Sequence, residues 1–484
     1  MLLEKIVMGI DDISITGFRN IDIKGITDNS KEVSEDFIFV AINGNNTSGI
    51  NYIKDAVRCG ANVIVAESDI QCDDSVVTIK ARNARKTLAE MLNNYYNTPD
   101  KSLKIIGITG TKGKTTTAEY LYGLLKGANR KTIVIGTLGT EGIDIGIYDK
   151  YNKTTPDSKI IFKTLDSAVN EGYEFVIIEV SSQALLQYRV WGIKFKCLIF
   201  TSFSSDHIGS TEHKSIEEYY LAKKSLFSVY PCDFAITNSD DERGIDIVSS
   251  VKKYYRVGEG TENEYKVCRI LSRNFQSEFQ LNGNNYRISL SGIFNVYNAS
   301  LALACASELI PEAKHLFPAL IKNITVNGRY ERYFINGKRI IIDFAHNGLS
   351  FAEMMKSVKE CSHGRIIVVY GSVGERVLHR RRELAQVAEY YADFSIITTD
   401  NPGNENTFKI CNEIYSNYVD KQKVKIIPDR RKAIEFAIKI AWVGDNILLL
   451  GKGHEEYDFK NGKREYFSER EFIISLGAIK EENR

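Results

Sequence analysis

The chain has 484 residues, room for about three domains at roughly 150 residues each. Its 63 Lys and Arg against 62 Asp and Glu leave a net charge of +1, which excludes the basic footprint of a general nucleic-acid binder. A hydrophobic content of 43% excludes a disordered chain, and only 7 prolines exclude long proline-rich linkers.

In chain order, MLLEKIVMGIDDISITGF reaches acidic residues by Asp11 without an apolar core of signal-peptide length. No later stretch approaches about 18 uncharged apolar residues, so a soluble, cytoplasmic protein without membrane insertion is expected, and a monomer is taken as its state. Residues 1–98 carry strand-like runs at Asp36–Ile42 and Ala61–Ala66 around a short helix, Ile53–Cys59. The turn cluster Asn97-Thr98-Pro99-Asp100 marks the first boundary. Beyond it, KIIGITG, TIVIGT, FVIIEV and CLIFTSF are apolar runs spaced for crossover helices, which predicts a mostly parallel sheet. A polar alternating stretch from Tyr254 to Ser291 predicts antiparallel ribbons, followed by a helix over Tyr297–Leu309. From Gly328, RIIIDFAH, GRIIVVYGSV, FSIITTDNP, KVKIIP and NILLLGKGH predict another α/β domain. Eight separated cysteines without CxxC pairs read as small hydrophobes in a reducing compartment.

The strongest chemical signal is Gly107-Ile-Thr-Gly110-Thr111-Lys-Gly113-Lys114-Thr115-Thr116, between a predicted strand and a helix. Backbone N–H groups of such a loop and the helix N-terminus cradle phosphates, the lysine reaches the β/γ-phosphates and the threonine hydroxyl binds Mg²⁺. The spacing departs from the strict P-loop: five residues separate Gly107 from Gly113, where the pattern asks for four. Glu179 ends the strand FVIIEV and is placed either for Mg²⁺ or to cap the following helix. Asp206-His207 follows CLIFTSF, and His207 alone is weak as a Mg²⁺ ligand because imidazole is softer than Mg²⁺ prefers. Four polar loops, at Asp343–Asn347, Gly371–Arg376, Thr399–Gly403 and Gly451–Glu455, end strands and predict one rim lined for ligands. Arg380-Arg381-Arg382 reads as a solvated helix face or, alternatively, an anion site.

Taken together, GITGTKGKTTT, Thr154-Thr155-Pro156, EVSSQAL, YYLAKKSLF, GIFNVYNA, NGRYE, DFAH, DNP and GKGHEEY resemble, in this order, the Mur-type amide ligases. Those enzymes use ATP to add amino acids to the UDP-linked muramyl precursor of peptidoglycan, and the closest likeness is to members that add the third residue. The resemblance implies an α/β fold of three domains. These are a small N-terminal α/β domain for the uridine nucleotide over 1–98, a central P-loop-like, mostly parallel-sheet ATPase domain over 99–327, and a C-terminal Rossmann-like α/β domain for the amino acid over 328–484. It implies γ-phosphoryl transfer to a carboxylate and attack of an amine on the acyl phosphate.

Residue by residue, the likeness implies that Lys114, Glu179, His207 and Lys223 are catalytic. Gly110, Thr111, Gly113, Thr115, Thr116, Asn298, Arg329, Asp343 and His346 would join Lys114 in binding ATP. Thr115, Glu179, His207 and Lys223, the last as a carbamate, would hold Mg²⁺; without the family likeness Lys223 would read as a surface lysine. Ser30 and Lys31 would meet the uridine diphosphate, and Thr154, Thr155, Ser181 and Arg189 the muramyl peptide. Asp400, Asn401, Gly451 and Glu455 would meet the incoming diamino acid. Gln183 and Ile50 depart from the family pattern, each standing where a His is usual, and the segment before Lys223 is two residues longer. Gly403 stands where diaminopimelate-adding members carry an Arg, whose fork would pair the distal carboxylate. With Glu405 and Glu455 nearby to receive an ammonium, L-lysine is the expected third residue; meso-diaminopimelate or ornithine, a related ligase for folate or another precursor, and a non-catalytic nucleotide-binding scaffold are the alternatives.

Overall fold

Runs of Ile, Val, Leu and Phe separated by amphipathic helices become parallel strands buried on both faces, and that pattern organises most of the chain. The computed structural model describes residues 1–44, 47–144, 153–204, 213–374 and 378–481. The chain divides into two compact units, Met1–Ala118 with Leu125–Arg256, and Glu119–Leu124 with Val257–Arg484. The boundary expected at residue 98 thus falls inside the first unit and that at 327 inside the second.

The first unit begins with a five-stranded sheet in the order Ile13–Thr16, Val77–Ala81, Ala61–Ala66, Phe37–Val40, Gly25–Thr27, parallel except at the first strand. Three of these strands have three to five residues and mixed burial, too little periodicity for the sequence to announce them. Within this unit a larger, ten-stranded sheet contributes, in order, Cys232–Asn238, Phe195–Phe200, Lys104–Thr109, Phe175–Glu179, Thr132–Gly136, with Gly139–Glu141 antiparallel at its edge. Because the long strands are parallel, the loops after Thr109, Gly136, Glu179 and Phe200 open at one end, where ligands bind such sheets. Helix Ser158–Asn170 buries Ile161, Phe162, Leu165 and Ala168. These share one core with Ile105 and Val176 of the parallel sheet and with Leu88, Met91 and Leu92 of helix Ala84–Tyr95, so both sheets of this unit rest on common packing.

The second unit opens with the expected antiparallel ribbons, Tyr265–Arg273, Gln276–Leu281 and Asn284–Ile288. The following helix starts at Ile293, four residues before the expected Tyr297. A seven-stranded sheet follows in the order Val424–Ile426, Phe394–Ile397, Ile366–Tyr370, Asn446–Leu450, Lys338–Asp343, Glu331–Ile335, Ile479–Lys480. The first five of these strands are parallel, as expected; the last two pair antiparallel. The loops after Asp343, Tyr370, Ile397 and Leu450 therefore share one end of the sheet. Among the described residues no helix is long and apolar enough to cross a membrane, and the eight cysteines are free.

Candidate functional site

In the first unit, strand Lys104–Thr109 feeds Gly110–Gly113 into helix Lys114–Gly127, so the positive end of the helix lies at the loop. Lys114 Nζ donates to Gly110 O at 2.8 Å and to Thr111 O at 3.3 Å. Lys223, on helix Ile216–Val229 and only 1% exposed, donates to the same Gly110 O at 2.9 Å. A surface position for Lys223 is thereby excluded, and two ammonium groups converge on one carbonyl of the loop. Tyr219, one turn earlier, lies under Lys223 with Nζ 4.4 Å from its ring centre and donates its hydroxyl to Thr111 Oγ1 at 3.2 Å.

Glu179 is 1% exposed, and its side chain faces hydroxyls and an amide. Thr115 Oγ1 donates to Oε2 at 2.9 Å, Thr137 Oγ1 to Oε2 at 3.0 Å, and Thr137 N to Oε1 at 2.9 Å. A buried carboxylate beside two hydroxyls is an all-oxygen donor set, which fits a hard divalent cation. It is not the helix cap: Ser181 Oγ accepts from Ala184 N at 3.2 Å and fills that role. Thr137 belongs to this site although no motif marks it; its position at a strand end was the available signal. His207 lies outside the described residues, as does Arg376. His213, fully buried, sits 2.9 Å by Nε2 from Ser182 Oγ.

The expected peptide-contacting residues form a connected group beside Glu179. Thr137 Oγ1, its proton on Glu179, accepts from Thr154 Oγ1 at 3.2 Å, and Thr155 Oγ1 donates to Glu179 O at 2.7 Å while accepting from Ser181 N at 2.9 Å. Arg189 Nη1 donates to Thr155 O, and its Nε lies 3.4 Å from Asp157 Oδ1. Burial depresses the Arg189 pKa, against the pull of Asp157. Ser30 and Lys31 lie on the 3₁₀ turn Ser30–Glu32, where Asn29 Oδ1 accepts from Lys31 N at 3.1 Å.

In the second unit, Asn298 is buried on helix Ile293–Leu309, with Nδ2 3.5 Å from Asn295 Oδ1. Asp343 ends its strand and accepts from Tyr330 N at 2.9 Å and Ala345 N at 2.7 Å; burial raises its pKa. Arg329 stacks its guanidinium 4.5 Å from the Phe344 ring centre, and His346 and His454 pack on the same ring at 4.8 and 4.9 Å. Burial, then Arg329 and Arg470, drive the His454 pKa down to about 3, so this imidazole is neutral at any working pH. Gly328 and Gly453 lie back to back: a Cβ on Gly328 would fall 2.1 Å from His454 N, and one on Gly453 2.7 Å from Gly328 O.

At the adjoining rim, Asn401 Nδ2 donates to Glu455 Oε2 at 2.6 Å, and Asn401 N to Asp458 Oδ1 at 3.1 Å. Lys452, fully buried, ties these pieces together through Asn401 Oδ1 at 3.3 Å, Tyr457 O at 2.6 Å and Asp458 Oδ1 at 3.4 Å. Burial, then the neighbouring Asp400, push the Glu455 pKa up to about 7; Asp400, also buried, is raised as well. A Cβ on Gly451 would stand 2.4 Å from Asp400 Oδ2, so these two expected contact residues touch. Gly403, with φ +61°, is bracketed by the hairpin Tyr457–Lys460/Lys463–Tyr466: Gly403 N donates to Phe459 O at 3.0 Å and Asn461 N to Gly403 O at 2.7 Å.

Two readings of this region change. Arg381 is 2% exposed rather than part of a solvated face, and it holds Glu405 at 2.9 and 2.6 Å and also pairs with Glu413. Glu405, expected to receive a ligand ammonium, is therefore already engaged by a guanidinium, which leaves Glu455. The buried pairing of Lys452 and of Arg430, whose Nε pairs with Glu469 at 2.8 Å, was not anticipated. Lys452 lies inside the GKGH motif, and its burial is the property a sequence does not display.

Comparison with known proteins gives matches to three family models: Mur ligase family, catalytic domain, over residues 22–100; Mur ligase middle domain over 108–306; and Mur ligase, glutamate ligase domain, over 328–453. The UDP-N-acetylmuramoyl-L-alanyl-D-glutamate–2,6-diaminopimelate ligase of Aquifex aeolicus is 34% identical over 470 residues, covering 94% of this chain and 93% of that one. The enzyme of the same name from Clostridium perfringens is 32% identical, covering 98% and 99%. A solved structure of a ligase with that name superposes with a TM-score of 0.69 at 23% identity, covering 98% of each chain. A folylpolyglutamate synthase of Mycobacterium tuberculosis, complexed with ADP and AMPPCP, superposes at 0.61 with 16% identity, covering 76% of this chain and 92% of that one; this likeness is one of fold.

Proposed function

The chain belongs to the Mur ligase family and is an ATP-dependent, ADP-forming amide ligase, and from that premise we propose that it adds one diamino acid to UDP-N-acetylmuramoyl-L-alanyl-D-glutamate. The observation that carries this reading is the near full-length identity to enzymes named for that reaction. Their names favour 2,6-diaminopimelate as the incoming amino acid over the lysine expected from Gly403. Lysine stays as the second reading because Gly403 supplies no side-chain donor for a distal carboxylate.

In the proposed reaction the γ-phosphoryl group of ATP passes to the terminal carboxylate of the dipeptide, giving an acyl phosphate and ADP. The amine of the diamino acid then attacks the acyl carbon; phosphate leaves and an amide forms. Such catalysis is positioning and neutralisation of phosphoryl charge. Gly110, Thr111, Gly113, Thr116 and the helix start would cradle the phosphates, with Lys114 turning from the Gly110 carbonyl to the β/γ-phosphates. Thr115 and Glu179, joined by Thr137, would hold Mg²⁺, which supplies charge neutralisation at the transferring group. His207 and Lys223 keep the metal roles implied by the family likeness; converting Lys223 to a carbamate would replace one of two crowded ammonium groups with oxygen donors.

Thr154, Thr155, Ser181 and Arg189 would hold the carboxyl end of the dipeptide, and Ser30 and Lys31 the diphosphate. Asn298, Arg329, Asp343 and His346 would serve ATP, and Asp400, Asn401, Gly451 and Glu455 the amino acid. The domain limits 1–98, 99–327 and 328–484 follow this division of labour. Phosphate release from ATP with the UDP-muramyl dipeptide and diaminopimelate, lysine or ornithine tests it. Release with diaminopimelate supports the first reading, release with lysine alone the second, and none with any amino acid overturns both.

A further inference from the structure

Lys159 stands in no motif, yet it joins two parts of the first unit that lie more than a hundred residues apart in sequence. It occupies the first turn of helix Ser158–Asn170, directly after the Thr154-Thr155-Pro156-Asp157 segment. Its Nζ contacts Asp28 Oδ1 at 2.9 Å, Glu32 Oε2 at 2.7 Å and Thr27 Oγ1 at 3.0 Å. These three residues frame the turn that carries Ser30 and Lys31. The frame is itself cross-braced: Thr27 Oγ1 donates to Glu32 Oε2 at 2.9 Å and accepts from Asn29 N at 3.0 Å, and Asn29 Nδ2 donates to Glu32 Oε1 at 3.0 Å. On the other side, the segment before Lys159 is fixed by Thr155 to Glu179 O and by Asp157 to Arg189.

We infer that Lys159 is a positioning residue that sets the spacing between the diphosphate-holding turn and the carboxyl-activating end of the site, and so selects a long substrate with an anionic nucleotide at one end and a free carboxylate at the other. This rests on the proposed substrate. A lysine at this point reaches three oxygens of one turn, and the side-chain exposure of 23% leaves its bonds only partly screened. Burial works against its charge, but Asp28 and Glu32 outweigh it and raise its pKa, so the strut stays charged across the working range. Neither ATP nor the free amino acid needs the distance that Lys159 holds.

The test is steady-state kinetics of the full-length enzyme with each of the three substrates varied in turn. Lys159→Met is expected to raise KM for the UDP-muramyl dipeptide about tenfold and to leave KM for ATP and the amino acid unchanged. Lys159→Arg should recover most of the loss, and the double variant Asp28→Asn/Glu32→Gln should reproduce it from the opposite side. An unchanged dipeptide KM in Lys159→Met, with an active wild type, overturns the strut and leaves the proposed reaction standing. Equal rises in all three KM values, or a failure of arginine to restore the dipeptide KM in a folded protein, also overturns it. A wild-type enzyme inactive with the dipeptide overturns both.

Discussion

The phosphate loop of the first unit and the rim of the second hold their charges in opposite ways. At the loop, Lys114 and Lys223 rest on a backbone carbonyl, and Glu179 rests on threonine hydroxyls and an amide. Contacts of this neutral kind are weak enough to be exchanged for a phosphate or a cation. At the rim, Lys452, Arg381 and Arg430 are buried and matched with Asp458, Glu405 and Glu469. These pairs fix loop geometry, and among the described residues Glu455 is left with an amide donor and a more distant ammonium at 3.7 Å. The difference separates charge kept available for chemistry from charge used as scaffold.

The largest effect that tests this contrast is at the loop. Lys114→Met is expected to lower kcat by about 10³-fold, a loss of charge stabilisation at the transferring phosphoryl group, read by steady-state kinetics. At the rim the order reverses: Arg430→Met should destabilise by about 3 kcal/mol in denaturant unfolding, since Glu469 would be left charged and buried. If Arg430→Met is as stable as wild type but inactive, the division between chemistry and scaffold fails.

Glu455 gives a pH test of intermediate size. Its folded pKa lies near 7, above the ordinary carboxylate value of 4.5, so the folded state binds more protons between those limits. Stability contributed by the protonated group is present below about pH 4.5 and is lost as pH rises through 7. Binding of an ammonium needs the ionised form, so KM for the amino acid should fall as pH rises from 6 to 8, and Glu455→Gln should flatten that dependence. A profile unchanged in Glu455→Gln would remove this residue from the amino-acid site.

The smallest expected effect is at Gly403. Its φ of +61° disfavours a side chain, so Gly403→Ala should cost about 1 kcal/mol, read as a lower unfolding midpoint. Gly403→Arg carries the same strain and sharpens the substrate question, because a gain in diaminopimelate over lysine use would show that the side chain at 403 faces the amino acid.

Much of this was legible beforehand. The parallel strands, the Gly110–Thr116 loop and the strand-end position of Glu179 follow from apolar runs and glycine spacing. What stayed hidden were partners set by tertiary contact. Lys159, Arg381 and Lys452 look like ordinary charged residues until burial and pairing are known, and Glu405 lost its expected role to a guanidinium from a distant helix. Thr137 was invisible for another reason: a threonine at a strand end is common, and only its approach to Glu179 distinguishes it.

The back-to-back glycines at 328 and 453 bear on how this enzyme can be recombined. Each loop occupies the volume where the other's Cβ would stand, although 125 positions separate them along the chain. A hybrid spliced anywhere between the two would fold properly only if the parent of the NGRYE segment and the parent of the GKGH segment each brought its glycine, so any recombination partner has to carry glycine at both places.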